Sequence, residues 1–265
     1  MKGLYFSGTG NTKYCVEQFI KHFGDNNLAV SIEVDNVNNV FADDDIIVLG
    51  YPICFSNIPK IVYDFIIEHR NSFVDKKIFI IATMGLFSGD GTGCSARLLR
   101  KYRAKIIGGL HIKMPDCIGD VKLLKKTLEE NKNIIKMAEE KIKISAKRLK
   151  EGKPTKEGLN VFYHIAGLFG QRLWFYGKST SYKDKPNINL QKCSLCGICI
   201  RNCPMKNLEK VDEKIVSKKR CTMCYRCVSY CPKGALTVLG KELYEQCSIE
   251  KYLKSRIQAA SATKT

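Results

Sequence analysis

Eight of the thirteen cysteines stand in two runs of identical spacing, Cys193-x-x-Cys196-x-x-Cys199-x-x-x-Cys203-Pro204 and Cys221-x-x-Cys224-x-x-Cys227-x-x-x-Cys231-Pro232, offset by 28 residues. Thiolates are soft ligands, and this spacing lets three of them converge on one metal centre from a tight loop. Disulfides are the other use of so many cysteines, but the opening MKGLYFSGTG has no long apolar stretch of the export type, so a reduced, cytoplasmic chain is expected. Zinc also accepts paired C-x-x-C motifs. Two unbroken four-cysteine runs, each closed by Pro, favour iron–sulfur centres over zinc. The remaining Cys15, Cys54, Cys94, Cys117 and Cys247 are scattered and read as small buried hydrophobes. A redox-active Cys54 is the minor alternative.

A second constellation lies near the amino terminus. Ser7-Gly8-Thr9-Gly10-Asn11-Thr12 combines two glycines for tight turning with three hydroxyls able to donate to phosphate oxygens. A helix beginning there adds unpaired N–H groups and the positive end of its dipole. Lys13 replaces the third glycine of a dinucleotide fingerprint, and no Gly-Lys-Ser/Thr closes a P-loop. A phosphate cradle of another kind is indicated. The four histidines, His22, His69, His111 and His164, are dispersed and read as structural or exposed.

The elements that must position these residues alternate. Lys2 to Phe6, Leu28 to Val34, Asp45 to Gly50, Lys77 to Thr83 and Lys105 to Ile112 read as five strands, several continuously apolar as in sheets covered on both faces. Helical spacing falls at Thr12 to Phe23, Ile58 to Arg70 and Thr92 to Tyr102. Asp120 is the expected cap of a long amphipathic helix stopped by Gly152 and Pro154. The pattern predicts an α/β doubly wound parallel five-stranded sheet, with ligands beyond the carboxyl ends of its strands. A small α+β module follows. The expected division is 1–152, a linker 153–185, a cluster module 186–240 and a helical to disordered tail 241–265.

Ser7-x-Thr9-Gly10-x-Thr12 in a strand-to-helix turn resembles the phosphate loop of flavodoxins, which hold FMN without a covalent bond. The resemblance implies that Ser7, Gly8, Thr9, Gly10, Asn11 and Thr12 bind the FMN phosphate. It also implies that the loops after the third and fourth strands flank the ring, with Pro52, Phe55, Gly85, Phe87 and Ser88 as contacts. Flavodoxins commonly use Trp or Tyr and surrounding acids; these loops offer Phe and only Asp90, so the anionic reduced flavin is expected to be less disfavoured. Residues 186–240 resemble a bacterial two-cluster ferredoxin. That pattern implies one [4Fe-4S] cluster on Cys193, Cys196, Cys199 and Cys231 and another on Cys221, Cys224, Cys227 and Cys203. The whole resembles the flavodoxin-ferredoxin fusions, or flavoferredoxins, of anaerobic microbes.

Charge and apolar segments bound the partners. The formal charge is +18, but 34 of the 44 basic residues are Lys, the weaker choice for reading bases. Many of them alternate with Glu between Lys122 and Lys156 as a solvated helix face. Bound thiolates, cluster cores and flavin phosphate would lower the charge to about +12. Redox proteins with acidic surfaces are the expected partners, and no specific nucleic acid is. Leu159, Phe162, Ile165, Phe169 and Leu173 fall on one face of a segment, 159–177, that also holds Trp174. Docking between modules is its plain use, and membrane contact the minor one.

Three functions stay open: an electron carrier linking one- and two-electron partners, an FMN-dependent reductase fed by the clusters, and a regulatory or nucleic-acid-binding protein with structural or sensory clusters. The carrier is the favoured expectation, and no catalytic constellation is visible.

Overall fold

The computed structural model describes the 265-residue chain except residues 25–27, 36, 38–45, 55–56, 87–88, 168–181 and 255–265. It separates into two units: Met1–Ser7, Asn11–Met114 and Ile134–Tyr176 in the first; Gly8–Gly10, Pro115–Asn133 and Gly177–Thr265 in the second.

The first unit is built on five parallel strands, β1 (Lys2–Tyr5), β2 (Leu28–Ser31), β3 (Ile46–Pro52), β4 (Lys77–Met84) and β5 (Lys105–Lys113). Their order is β2-β1-β3-β4-β5. The apolar runs of β3 and β4 pair from Ile46 with Lys77 to Pro52 with Thr83, and their central residues are buried on both faces. That double burial is why neither strand alternates. Helices α1 (Asn11–Phe23), α2 (Lys60–Glu68) and α3 (Gly91–Lys101) supply Phe19, Ile66 and Leu99 to the core. Because β1 has β2 on one side and β3 on the other, the strand order reverses at its carboxyl end. A ligand crevice is expected at that point.

The long helix α4 runs Leu128–Lys150 and starts later than Asp120. Its start is a reciprocal box: Thr127 N and Oγ1 donate to Glu130 Oε2 at 2.7 and 2.8 Å, and Glu130 N donates to Thr127 Oγ1 at 3.2 Å. Asp120 is engaged elsewhere. Its Oδ1 accepts from the Tyr225 hydroxyl at 2.8 Å, and its Oδ2 from Val238 N at 2.5 Å and Leu239 N at 2.9 Å. A carboxylate with three buried donors cannot also cap a helix seven residues away. The expected stop does hold: Gly152, at φ 70, donates to Leu149 O at 3.1 Å. Helix α5 (Val161–Gly167) follows.

The second unit has far less regular structure. Strands β6 (Asn187–Ile188) and β9 (Leu236–Thr237) pair antiparallel, as do β7 (Leu208–Val211) and β8 (Lys214–Ser217); α6 (Ile198–Arg201) and α7 (Arg226–Ser229) are single turns. The 28-residue offset relates α6 to α7, β7 to β9 and β6 to β8. It extends to backbone conformation: Leu195 and Met223 have φ 54 and 53, Gly197 and Tyr225 have φ 72 and 58, and Lys206 and Gly234 have φ 47 and 56. The core is small, formed by residues such as Leu208, Ile215, Val228, Leu236 and Val238.

Candidate functional site

Left-handed residues fold each cysteine loop back on itself, and a one-turn helix then carries the chain from the third cysteine to the fourth. Two cavities result. One, of about 350 Å³ including its mouth, is lined by Cys203, Cys221, Cys224 and Cys227; the other, of about 300 Å³, by Cys193, Cys196, Cys199 and Cys231. The fourth cysteine of each run therefore lines the cavity of the other run. None of the thirteen cysteines forms a disulfide.

Backbone donors point at these sulfurs in equivalent places. Asn207 N donates to Cys203 Sγ and Ala235 N to Cys231 Sγ, both at 3.3 Å, and Met223 N to Cys221 Sγ at 3.3 Å. Burial pushes the Cys221 thiol up to about 11 and the Cys224 thiol up to about 12, and it raises Cys227 and Cys199 as well. Neighbouring thiols add to the rise. Cys199 feels Cys193, Cys231 and Cys196, while Cys224 feels Cys221 and Cys203. Four thiolates in one apolar cavity demand compensating positive charge, which a metal centre would supply. Among the described residues, no three His, Cys, Asp or Glu side chains are placed to hold a single metal ion. The cysteines surround voids instead.

The amino-terminal constellation follows β1. Helix α1 begins at Asn11, so its amino end lies in the Ser7–Thr12 turn, and Gly10 adopts φ 89. Thr9 and Thr12 are buried, and the Thr12 and Thr83 hydroxyls lie 2.7 Å apart. That contact uses one of two hydroxyl protons and leaves the other to donate. The backbone N–H groups of Gly8, Thr9 and Gly10 make no hydrogen bond among the described residues. Consecutive free N–H groups at a helix start fit a phosphate. Gly8 has a steric reason too: within the second unit, a Cβ there would lie 2.0 Å from the Cys224 carbonyl oxygen. Ile249 N donates to Thr9 O at 3.0 Å in the same unit.

Of the expected ring contacts, Pro52 ends β3 and Gly85 follows β4. Phe55, Phe87 and Ser88 lie outside the described residues. Cys54 and Asn57 exchange both backbone hydrogen bonds, at 3.0 and 2.9 Å.

Asp90, the one acid of these loops, is fully buried; its Oδ2 meets Arg97 Nη1 at 2.7 Å and His164 Nδ1 at 3.0 Å. Two cationic or donor partners take up its charge. Nearby, the Thr92 hydroxyl donates to Glu157 O at 2.6 Å and lies 3.1 Å from His111 Nε2. Burial lowers the pKa of His111 to about 4. The Tyr163 ring meets His111 edge-on at 5.6 Å. These contacts hold α5 within the first unit. Of the predicted apolar face, Leu159 is half-buried, whereas Phe162 is 83% and Ile165 48% exposed; Phe169, Leu173 and Trp174 lie outside the described residues. No described helix is long and apolar enough to cross a membrane.

Sequence reasoning missed the Asp90–His164 and Asp120–Tyr225 pairs because their partners are 74 and 105 residues apart. No local pattern announces such contacts. The left-handed residues of the repeat, by contrast, could have been sought, since Gly197 and Gly234 mark two of the six positions.

A parallel sheet in this strand order with a phosphate-type turn at its reversal, followed by two four-cysteine cavities, defines an electron-transfer protein with flavin and iron–sulfur sites. Residues 4–105 match the flavodoxin domain family, and residues 185–235 match the 4Fe-4S dicluster domain family. The chain is thus a flavodoxin-ferredoxin fusion.

Among solved structures, it is similar to the two-electron reduced flavodoxin of Megasphaera elsdenii, at 22% identity over 55% of this chain and 98% of that one, with a TM-score of 0.41. An archaeal flavodoxin shows 15% identity over 57% and 99%, with a TM-score of 0.40. The flavodiiron protein of Giardia intestinalis shows 13% over 57% and 36%, also at 0.40. No curated protein matches.

Proposed function

We propose that the chain is an electron carrier joining one-electron and two-electron partners through two [4Fe-4S] clusters and one FMN. The carrying observation is the crossed lining of the cavities. Cys193, Cys196, Cys199 and Cys231 hold one cluster, and Cys221, Cys224, Cys227 and Cys203 the other. The clusters supply single-electron steps, and the flavin supplies one or two.

The chain's own part is to hold and shield. N–H groups of Asn207, Met223 and Ala235 donate to ligand sulfurs, which eases the negative charge gathered there. The Ser7–Thr12 turn holds the phosphate, and Pro52 and Gly85 bring the ring-side loops to the same sheet edge. The positive charge suits partners with acidic surfaces.

The test is the absorption spectrum of anaerobically purified protein before and after dithionite, with released flavin measured against iron. About one flavin to eight irons is expected. Four irons, or iron without flavin and no uptake of added FMN, would overturn the stoichiometry or the flavin half of the proposal.

A further inference from the structure

The 28-residue repeat makes the two cavities equivalent by construction, so a difference at matched positions is a built difference. Cys196 and Cys224 are matched. Cys196 is exposed to solvent, whereas its counterpart Cys224 is only partly exposed, as are Cys203, Cys221 and Cys227. The next residue differs as well. Gly197 places no side chain beside Cys196. Tyr225 lines the Cys203 cavity, is 2% exposed and is tied through its hydroxyl to Asp120. One cavity has a fully exposed cysteine at its rim, and the other has a buried aromatic ring at the matched place.

The Cys196 cavity also has charge of one sign around it. Lys192, Arg201 and Lys233 are exposed, they adjoin or approach residues lining that cavity, and among the described residues none is paired with a carboxylate. Arg201 Nη1 donates to Cys196 O at 3.3 Å, holding its charge beside the exposed ligand. The hairpin acids Glu209 and Glu213 are taken by Lys218 at 2.7 Å and Lys210 at 2.8 Å. From Lys185 to Lys241 there are twelve basic residues and three acidic ones. Electron transfer falls off exponentially with edge-to-edge distance, so the exposed Cys196 edge offers a docked protein the shortest approach.

We propose that the chain exchanges electrons with protein partners at the Cys193, Cys196, Cys199 and Cys231 edge, where Lys192, Arg201 and Lys233 dock an acidic one-electron redox protein. This rests on the two-cluster reading above. One electron passes from the partner's reduced centre to the centre at this edge; no bond forms or breaks and no proton moves.

The test uses iron-loaded full-length protein and, as probe, a strongly acidic [2Fe-2S] ferredoxin. Binding is followed by calorimetry, contact by carbodiimide cross-linking, and transfer by stopped flow with the pre-reduced probe. Two variants carry the same charge change, K192E/K233E at the Cys196 cavity and K219E/R220E beside Cys221. The first should weaken binding and slow transfer by about tenfold or more at low salt, the second by less than about threefold, with the difference fading near about 0.5 M salt. Cross-links should fall on Lys192 or Lys233. Equal losses in iron-loaded protein, cross-links at Lys219, or displacement of the probe by a short DNA duplex at equal concentration would each overturn the port. Protein that takes up no iron would overturn the cluster reading, and the port with it.

Discussion

The two units hold themselves together by different means. In the first, Leu4, Ile47, Val48, Leu49, Ile78, Phe79 and Ile80 are wholly buried in a parallel sheet whose helices close both faces. In the second, strands of two to four residues surround a core to which Cys199 and Cys231 themselves belong. A sheet of that first kind stabilises itself by apolar burial, whereas a module with so small a core leans on its metal centres and on a few buried polar anchors. The lesson is that equal mutations should not have equal costs in the two units.

Iron removal is the largest break. Chelation should unfold the second unit and leave the sheet of the first protected in hydrogen exchange; joint loss of protection would mean that the first unit does not stand alone. Cys203→Ser sharpens this. Because Cys203 lines the cavity of the other run, the variant should lose about half of its iron, and the surviving cluster should be the one on Cys193, Cys196, Cys199 and Cys231. Loss from that cavity instead would refute the crossed lining.

Asp120→Ala comes next. It strips a buried carboxylate from two backbone donors and one hydroxyl, at a cost of about 3–5 kcal/mol to the second unit in denaturant unfolding. Asn should recover part of the loss, since its oxygen still accepts.

Acid weakens the first unit more modestly. His111 has a pKa near 4 when folded and an ordinary value of 6.5. Between those values the unfolded chain binds the extra proton, so stability falls as the pH drops through that window, by at most about 3 kcal/mol. His111→Gln should flatten that limb of the pH profile. The smallest effect belongs to Tyr225→Phe, which removes one hydroxyl from Asp120 while keeping the ring, for about 1 kcal/mol. Its ring should still slow oxidation of the neighbouring cluster by ferricyanide, whereas Tyr225→Gly should speed it.

Much of the first unit was legible because its signals are local. The apolar runs of β3 and β4, the Gly-rich turn before α1 and the stop at Gly152 each announce themselves within a few residues. The cysteine runs are legible for the same reason, and their offset already carries the pseudo-symmetry. Asp120 was misread as a cap because an acid before an amphipathic run is a helix signal. Thr127 and Glu130 form a better one, and Tyr225, Val238 and Leu239 claim the carboxylate.

The sequence by itself thus determined the sheet, the phosphate-type turn and the number and spacing of the paired cysteine runs, since backbone conformation and the reach of neighbouring thiols depend on near neighbours. Only the tertiary structure decided which thiols share a cavity, which of them is exposed, and where Asp90 and Asp120 find their partners. Those outcomes depend on burial and on partners brought together from distant parts of the chain, and no local pattern encodes either.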